Sequence, residues 1–452
     1  MDIKLRIGVV VTGEESLDKI APRRALNAVL KRLDTLNNIE KLTFEETLSN
    51  SDVSKKASKY FSENNVDVLL IVAGTWTQDN FLIDVLKFLN CPVICWVPPD
   101  PLGVEFPTTG ALVGAVQNCG VLVRIGKKVK MILDSIESEE GFGKLKEYIK
   151  VLTVIKKLKF AKVGIIGSRC PGMLDSSFHE LELMKQIGPE IVHIGTSDLA
   201  KGIDSAKDME AEKVLEDLLS INQVKDVNKP VLIESIKIYM AVKKFVKDYS
   251  LDALAVRCWP DLKNSNICAP CFTLSRLSDE GIMSACESDV TAAVSMYILN
   301  QLTGNCVYLG DMLKINNETK EALYYHCGAA ATGLAQDQKK VEYKLHRDAG
   351  PGRAWKEGLV VEFTLKPGRV TFARIGEIRS KYKMITYSGN AIESEMFTIG
   401  NPAKVVLDKN PEFIVNSLIE HGLAHHQIGV HGDITGELKS LCDFLNLDLF
   451  LL

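Results

Sequence analysis

The chain has 452 residues and a formal net charge of -4, with 46% hydrophobic and 25% charged residues. This composition is typical of a globular protein of about two to four domains, and the charge gives no argument for a nucleic acid or an anionic membrane as partner. No apolar run approaches the roughly 20 residues of a membrane span. Because the first residues run directly into a strand pattern, we expect no signal peptide, a cytoplasmic location and reduced cysteines.

The first 158 residues alternate between strand and helix patterns, which predicts a parallel α/β domain with right-handed crossovers. Ligands gather at the carboxyl ends of such strands. The loop at residues 74–80 follows a predicted strand and carries Trp76 and Gln78. The predicted strands cover residues 5–11, 40–44, 66–72 and 92–97, and the predicted helices cover residues 21–36, 51–64, 81–89 and 127–159.

A second α/β domain is predicted over residues 159–305. Arg169 lies in the loop after its first strand, and Arg257 and Trp259 follow a later one. The predicted strands cover residues 162–167, 191–194, 251–256 and 272–274, and the predicted helices cover residues 210–220 and 229–248.

Two carboxylates flank a helix and a strand at the end of this domain. The pattern predicts a helix from Val290 to Leu302, closed by Gly304, and a short strand at residues 307–309 that Gly310 and Asp311 stop. Glu287 precedes the helix. Desolvated carboxylates are costly unless they bind a cation or share a proton, so Glu287 and Asp311 are a candidate site.

Residues 306–452 show β alternation followed by a return to an α/β pattern, which predicts a mostly antiparallel domain. Strands are predicted at residues 322–326, 359–365, 370–375 and 383–387. The turn Lys366-Pro367-Gly368-Arg369 predicts a hairpin between the second and third of these. Helices at residues 411–422 and 437–445 and a strand at residues 447–452 complete the domain.

Two common sequence motifs, the dinucleotide-binding fingerprint and the redox cysteine pair, are only partly present. Gly8 stands alone in the first strand, and residues 164–167 lack the first Gly-x-Gly of a dinucleotide fingerprint. Cys268 and Cys271 have redox-motif spacing, but the preceding residues read as a loop and a second cysteine pair for zinc is missing. We therefore interpret this cysteine pair as structural.

Histidines cluster near the end of the chain. Four of the 8 histidines lie at positions 421, 425, 426 and 431. Imidazole combined with carboxylates suits divalent transition metals, while single histidines are more often ordinary polar residues. The composition leaves both readings open.

Several segments resemble the L-fucose isomerase and L-arabinose isomerase superfamily. Glu287 and Asp311 are 24 residues apart, as in the metal-binding segment of fucose isomerases. The other resembling segments are residues 285–289 (ACESD), 301–304 (QLTG), 424–426 (AHH), 74–76 (GTW), 167–173 (GSRCPGM) and 368–374 (GRVTFAR).

The resemblance implies two Rossmann-like parallel α/β domains followed by a β-barrel-like C-terminal domain. It also implies a metal-dependent aldose–ketose isomerase that acts on a pentose or hexose through a cis-enediol. Mn²⁺, or Co²⁺, Mg²⁺ or Fe²⁺, would be held by Glu287, Asp311 and His426, with the two acids also acting in proton transfer. The substrate-binding residues would be Trp76, Gln78, Arg169, Arg257, Trp259 and His326.

Further alternatives concern substrate and assembly. His326 stands where arabinose isomerases carry a ligand, so it binds metal, binds sugar or only packs. Arg169 and Arg257 leave open an anionic sugar, sulfonated or phosphorylated, and a non-catalytic sugar-binding protein is a third reading. Trp76 resembles an aromatic residue that a neighbouring subunit lends to the site, which implies a homo-oligomer, a trimer or hexamer.

Overall fold

A computed structural model describes residues 3–14, 16–100, 108–221, 223–346 and 357–452, without the side chains of residues 221, 223, 261 and 263. The chain forms two compact units, Met1–Lys157 and Leu158–Leu452. Each unit is described separately.

The first unit is built on a parallel five-stranded sheet in the order β2-β1-β3-β4-β5. The central strands are buried because their sequences are continuous apolar runs. The elements are β1 (Leu5–Thr12), α1 (Ala21–Leu33), β2 (Ile39–Thr43), α2 (Ser51–Glu63), β3 (Val68–Ala73), α3 (Asp79–Leu86), β4 (Val93–Val97), α4 (Ala111–Arg124), β5 (Val129–Leu133) and α5 (Glu139–Leu158).

The parallel α/β prediction is confirmed for this unit, with one correction. The helix predicted over residues 127–159 begins only at Glu139, and β5 occupies the start of that stretch. The sequence pattern suggested a helix here, with Lys128 and Lys130 on its solvated face. Lysine is also common on the edge strand of a sheet, where it hinders pairing with another chain.

The second unit contains a four-stranded parallel sheet in the order β10-β9-β6-β7. Its strands and larger helices are β6 (Lys162–Ile166), α6 (Glu180–Gln186), β7 (Glu190–Ile194), α7 (Thr196–Ser205), α8 (Asp208–Ile221), β8 (Gln223–Val224), α9 (Lys229–Tyr249), β9 (Ala253–Val256), α10 (Asp261–Asn264), α11 (Cys271–Asp279), β10 (Met283–Cys286) and α12 (Val290–Thr303).

The strand predicted at residues 272–274 is wrong, because these residues belong to α11. Seven of the nine residues of α11 are buried, so the 3.6-residue alternation that identifies an amphipathic helix is absent. The prediction of α12 is confirmed. Gly304 caps it in the left-handed conformation, with φ of +70°.

A mostly antiparallel seven-stranded sheet follows, in the order β15-β18-β11-β12-β17-β16-β19, and β15 also pairs with β16. The C-terminal elements are β11 (Val307–Asn316), β12 (Glu321–Tyr325), β13 (Glu342–Leu345), β14 (Leu359–Glu362), β15 (Gly368–Ile378), β16 (Lys381–Ile392), β17 (Ala403–Leu407), α13 (Pro411–Glu420), β18 (Gln427–His431), α14 (Thr435–Leu445) and β19 (Asp448–Leu451).

Strand β11 does not stop at Gly310 and Asp311, as the sequence predicted, but continues to Asn316. Gly310 allows the side chain of Tyr308 to pack closely against the backbone. A Cβ at this position would lie 2.5 Å from the ring of Tyr308, so only glycine fits beside the aromatic side chain. Asp311 is therefore an interior residue of a long strand.

The hairpin predicted at Lys366–Arg369 is also wrong. Strand β14 pairs with β13 in a separate three-stranded sheet that includes β8, whereas β15 pairs with β16 and β18. The actual hairpin joins β15 to β16 through Arg379 and Ser380, whose φ angles are +54° and +63°. A turn motif reports local backbone geometry and does not specify which strands pair.

One hydrophobic core runs through the second unit. It includes Ile236 and Phe272 from the α/β part and Tyr308 and Phe372 from the C-terminal part. Helix α12 packs against β10 and β9 on one side and against β15 and β18 on the other. It is buried almost along its whole length, so its N-terminal end is held between the two sheets.

Candidate active site

Glu287 follows the carboxyl end of β10 in an unusual backbone conformation. Its φ is +60° and that of Ser288 is +55°, and such residues cost roughly 1–3 kcal/mol each. Two hydrogen bonds hold the turn: the Ser288 amide donates to the carbonyl of Val256 at 3.0 Å, and its hydroxyl donates to the carbonyl of Ile166 at 3.3 Å. The neighbouring strands thus hold Glu287 at the carboxyl edge of the sheet.

His426 lies between α13 and β18 and is fully buried. Its Nδ1 is 2.9 Å from Oδ2 of Asp289, which also accepts a hydrogen bond from Nη2 of Arg374 at 2.6 Å. Asp289 caps α12 by accepting from the amide of Ala292. A carboxylate can only accept here, so the tautomer with its proton on Nδ1 is favoured, and in that tautomer Nε2 has the lone pair.

Asp289 is an anion in this environment. Burial raises the pKa of the carboxyl, but the charge of Arg374 and the hydrogen bond from His426 outweigh burial and hold the pKa well below its usual range. The ion pair orients His426. Sequence analysis gave Asp289 and Arg374 no role, although Asp289 is an N-cap residue and Arg374 lies in a resembling segment.

Asp311 reaches the site through strand pairing. Strand β11 lies between β12 and β18, with Asp311 opposite Tyr325 and Gly310 opposite Gln427. Asp311 is therefore flanked by His326, which follows Tyr325, and by His426, which precedes Gln427. Strand pairing thus places Asp311 beside His426, whose imidazole faces Glu287.

Two atoms of this group are suited to a metal ion. Within the described part of the chain, Asp311 Oδ1 and His426 Nε2 are buried and have no hydrogen-bond partner. The Nε2 atom is 3.5 Å from Oε2 of Glu287. Buried polar atoms without partners are costly, and two carboxylates with one imidazole form a donor set for first-row divalent ions. The residues fit a divalent metal.

His425 is a component of the site that sequence analysis left without a role. Its Nδ1 is 2.7 Å from Oδ2 of Asp175, and its Nε2 is 3.3 Å from Oε2 of Glu287. The hydrogen bond to Glu287 raises the pKa of His425 to about 9, the bond to Asp175 adds to the increase, and burial opposes it. The glutamate, His425 and His426 form one cluster of potential ligands. The adjacency of His425 to His426 in the sequence was the signal from which a role for His425 could have been predicted.

His326 is buried beside the site. Its ring centroid is 5.5 Å from that of His426, and its Nδ1 is 3.5 Å from Sγ of Cys327. Burial lowers the pKa of His326, but the charge of Cys327 and the hydrogen bond with it raise the pKa to about 10. His326 thus lies between the carboxylate–imidazole group and a group of cysteines.

The two predicted loop arginines lie at the same sheet edge as Glu287, because β10, β9 and β6 are adjacent. Arg257 Nη1 donates to Oγ of Ser168 at 2.5 Å, and Arg169 Nη1 donates to the carbonyl of Cys170 at 2.9 Å. Both arginines are half-buried, and Trp259 is exposed. This edge therefore carries two positive charges.

Trp76 and Gln78 belong to the first unit, after β3 as predicted. The indole of Trp76 donates to Oε1 of Gln117 on α4 at 3.0 Å, and Gln78 is exposed at the start of α3. Both residues lie at the carboxyl end of a parallel strand.

Comparison with known proteins finds similarity to sugar isomerases. Residues 324–451 match the family described as L-fucose isomerase, C-terminal domain. The chain is 29% identical over 390 residues to a sulfoquinovose isomerase of Priestia aryabhattai, with 85% of each chain covered. These similarities agree with the resemblance to the L-fucose isomerase superfamily of sugar isomerases.

Other similar proteins have the same description. Sulfoquinovose isomerases of Alkalicoccus urumqiensis and Clostridium sp. (strain MSTE9) are 29% and 26% identical to the chain, each with 84% of this chain and 85% of the relative covered. Among the described residues of the chain, no helix is both long and apolar enough to cross a bilayer.

Proposed function

We propose that the protein is a metal-dependent aldose–ketose isomerase whose substrate is a sugar with a sulfonate group. The observation that supports the isomerase proposal is the approach of His426 to Glu287 beside Asp311, with two buried donor atoms that lack partners among the described residues. The likeness to sulfoquinovose isomerases over 85% of both chains supports the sulfonated substrate.

A divalent ion, Mn²⁺ or else Co²⁺, Mg²⁺ or Fe²⁺, would be held by Glu287, Asp311 and His426. When bound, the ion supplies a Lewis acid for the oxygens of the open-chain sugar. The protein's own part is to fix the orientation and tautomer of His426, which the hydrogen bond from Nδ1 to Asp289 does.

Isomerisation moves a hydrogen between C1 and C2, so a base must take the C2 proton and return it to C1 through a cis-enediol. Glu287 and Asp311 are the candidate groups. Glu287 is partly exposed and can meet substrate, and the bond from His425 Nε2 at 3.3 Å orients its Oε2. Asp175 holds His425 from the other side at 2.7 Å.

Recognition of a sulfonate requires positive charge at the sugar's far end. Arg169 and Arg257 supply it at the carboxyl edge that also carries Glu287. The guanidinium group suits an oxyanion because its donors form a planar fork. Trp259 and His326 would contact the sugar body. The anionic substrate is thus favoured over the neutral pentose or hexose.

The resemblance also supports a homo-oligomer in which Trp76 of one subunit covers the sugar in the site of another. Gln78, two residues further on, would donate or accept hydrogen bonds with sugar hydroxyls. Such sharing makes the assembled oligomer the active form.

The test is an isomerisation assay with a 6-sulfonated aldose, a 6-phosphorylated aldose, a 6-deoxyhexose and a pentose. We expect turnover of the sulfonated sugar in Mn²⁺, loss on chelation and recovery when Mn²⁺ is returned. Arg169→Gln and Arg257→Gln are expected to raise KM for the sulfonated sugar, while the matched surface variant Arg369→Gln leaves it unchanged.

Two results would contradict this proposal. Activity that persists after thorough chelation and in Glu287→Gln excludes the metal-dependent mechanism. Equal kcat/KM for neutral and sulfonated sugars excludes the sulfonate as the recognised group. Sugar binding without turnover in the metal-loaded protein would instead indicate a binding protein.

A further inference from the structure

The second unit contains a group of cysteines that the proposed reaction does not use. Cys258 and Cys286 have their Sγ atoms 3.3 Å apart, and Cys271 and Cys327 have theirs 3.7 Å apart. Cys327 is partly buried and the other three are buried. His346 is also buried, and it forms a cluster of potential ligands with Cys271 and Cys327.

The three residues of this cluster come from separate segments. Cys271 begins α11, Cys327 lies two residues beyond β12, and His346 follows β13. Backbone hydrogen bonds fix two of these segments independently: the His346 amide donates to the carbonyl of Gly358 at 2.8 Å, and the carbonyl of Gly328 accepts from Val361 at 3.0 Å. The backbone of these segments therefore brings the three side chains together.

The geometry of the cluster matches that of a metal centre. One ligand atom from each of Cys271, Cys327 and His346 lies within 4.8 Å of the others. Two thiolates at about 2.3 Å from a tetrahedral zinc ion are about 3.8 Å apart. The observed Sγ–Sγ distance of 3.7 Å agrees with this spacing and is far longer than a disulfide bond of about 2.0 Å.

Cys327 has two polar neighbours: its Sγ lies 3.7 Å from Sγ of Cys271 and 3.5 Å from Nδ1 of His326. The thiolate is the form of cysteine that binds metals. Cys327 is also only partly buried.

We propose that Cys271, Cys327 and His346 form a second metal site, for a thiophilic d¹⁰ cation, Zn²⁺ or Cu⁺. Thiolate and imidazole donors select these ions, whereas the carboxylate-rich group of Glu287 and Asp311 suits harder ions. Binding releases the remaining thiol protons to solvent. The ion cross-links the start of α11 to the ends of β12 and β13. This site is independent of the isomerase proposal.

Cobalt substitution tests the proposal, because a Co²⁺–thiolate bond gives a charge-transfer band in the near ultraviolet and a Co²⁺–carboxylate bond does not. We expect the band in the reduced wild-type protein and in Glu287→Gln. We expect its loss in Cys271→Ser and His346→Gln. The matched control Cys442→Ser changes another buried thiol of the same unit and is expected to keep the band.

The cation is identified by elemental analysis after zinc loading and, in a separate anaerobic arm, by Cu⁺ competition with a chromophoric chelator. The proposal is overturned if the wild-type protein binds no Zn²⁺ or Cu⁺ beyond the one ion expected at Glu287, Asp311 and His426. It is also overturned if the charge-transfer band persists in both Cys271→Ser and His346→Gln. If Cys271→Ser fails to fold, as judged by circular dichroism, the wild-type uptake and the effect of a thiol-blocking mercurial on it decide the question.

Discussion

Nδ1 of His426 donates a hydrogen bond to Oδ2 of Asp289 at 2.9 Å, and Nη2 of Arg374 donates to the same oxygen at 2.6 Å. The ring of His426 therefore has one orientation and one tautomer, with Nε2 directed to within 3.5 Å of Glu287. Asp289, which contacts no substrate in the proposed reaction, is a positioning residue for the metal ligand.

Asp289→Asn is expected to weaken Mn²⁺ binding by about 10–100-fold, the usual effect of removing the carboxylate partner of a histidine ligand. Asparagine still caps a helix, so the substitution removes charge and leaves the start of α12 intact. Mn²⁺ titration calorimetry measures the change, and a thermal melt checks the fold. Unchanged Mn²⁺ affinity in the folded variant would refute the positioning role.

Arg374→Met is expected to lower the free energy of unfolding by about 3–5 kcal/mol, because it leaves the fully buried carboxylate of Asp289 without its counter-ion. Urea denaturation measures this loss. The control is Arg369→Met, which breaks the exposed pair with Asp408 and is expected to cost about 0–1 kcal/mol. Equal losses in the two variants would mean that the buried Arg374–Asp289 pair contributes no more to the free energy of unfolding than the exposed pair does.

Gly400→Ala is expected to be more destabilising than Gly304→Ala by about 1–3 kcal/mol. Both glycines have positive φ, +75° and +70°, so the backbone strain of a side chain is matched. At Gly400 the added Cβ would lie 2.1 Å from the carbonyl oxygen of His326, whereas at Gly304 nothing lies within 4 Å. Urea denaturation of the two variants compares them, and similar midpoints would contradict the clash.

Mixed oligomers test the shared role of Trp76. Trp76→Ala and Glu287→Gln are each expected to be nearly inactive, and co-assembled subunits are expected to regain activity, because one subunit supplies Glu287 and its neighbour supplies Trp76. Isomerase assays on unfolded and refolded mixtures measure the recovery. The control mixture combines Trp259→Ala with Glu287→Gln. Trp259 and Glu287 lie in the same compact unit of one chain, so both contribute to the same site and no recovery is expected. Absence of recovery in the first mixture would place Trp76 outside a neighbour's site.

Local sequence patterns determined much of this protein. The apolar runs of the parallel strands, the helix from Val290 with its Gly304 cap, and the place of Glu287 just before that helix follow from short-range sterics and burial. The sequence also predicts the acid pair and His426 as a site, because their types and spacing resemble a known family. These features depend on residues close together in the chain.

Tertiary structure decided the rest. The pairing of β11 with both β12 and β18 places Asp311 between His326 and His426, and no turn motif near Asp311 encodes it. The bond between Asp175 and His425 joins residues 250 positions apart. The failed hairpin at residues 366–369 has the same cause, since strand partners are chosen by burial of whole faces. The cysteine cluster likewise exists only after three distant segments have packed together.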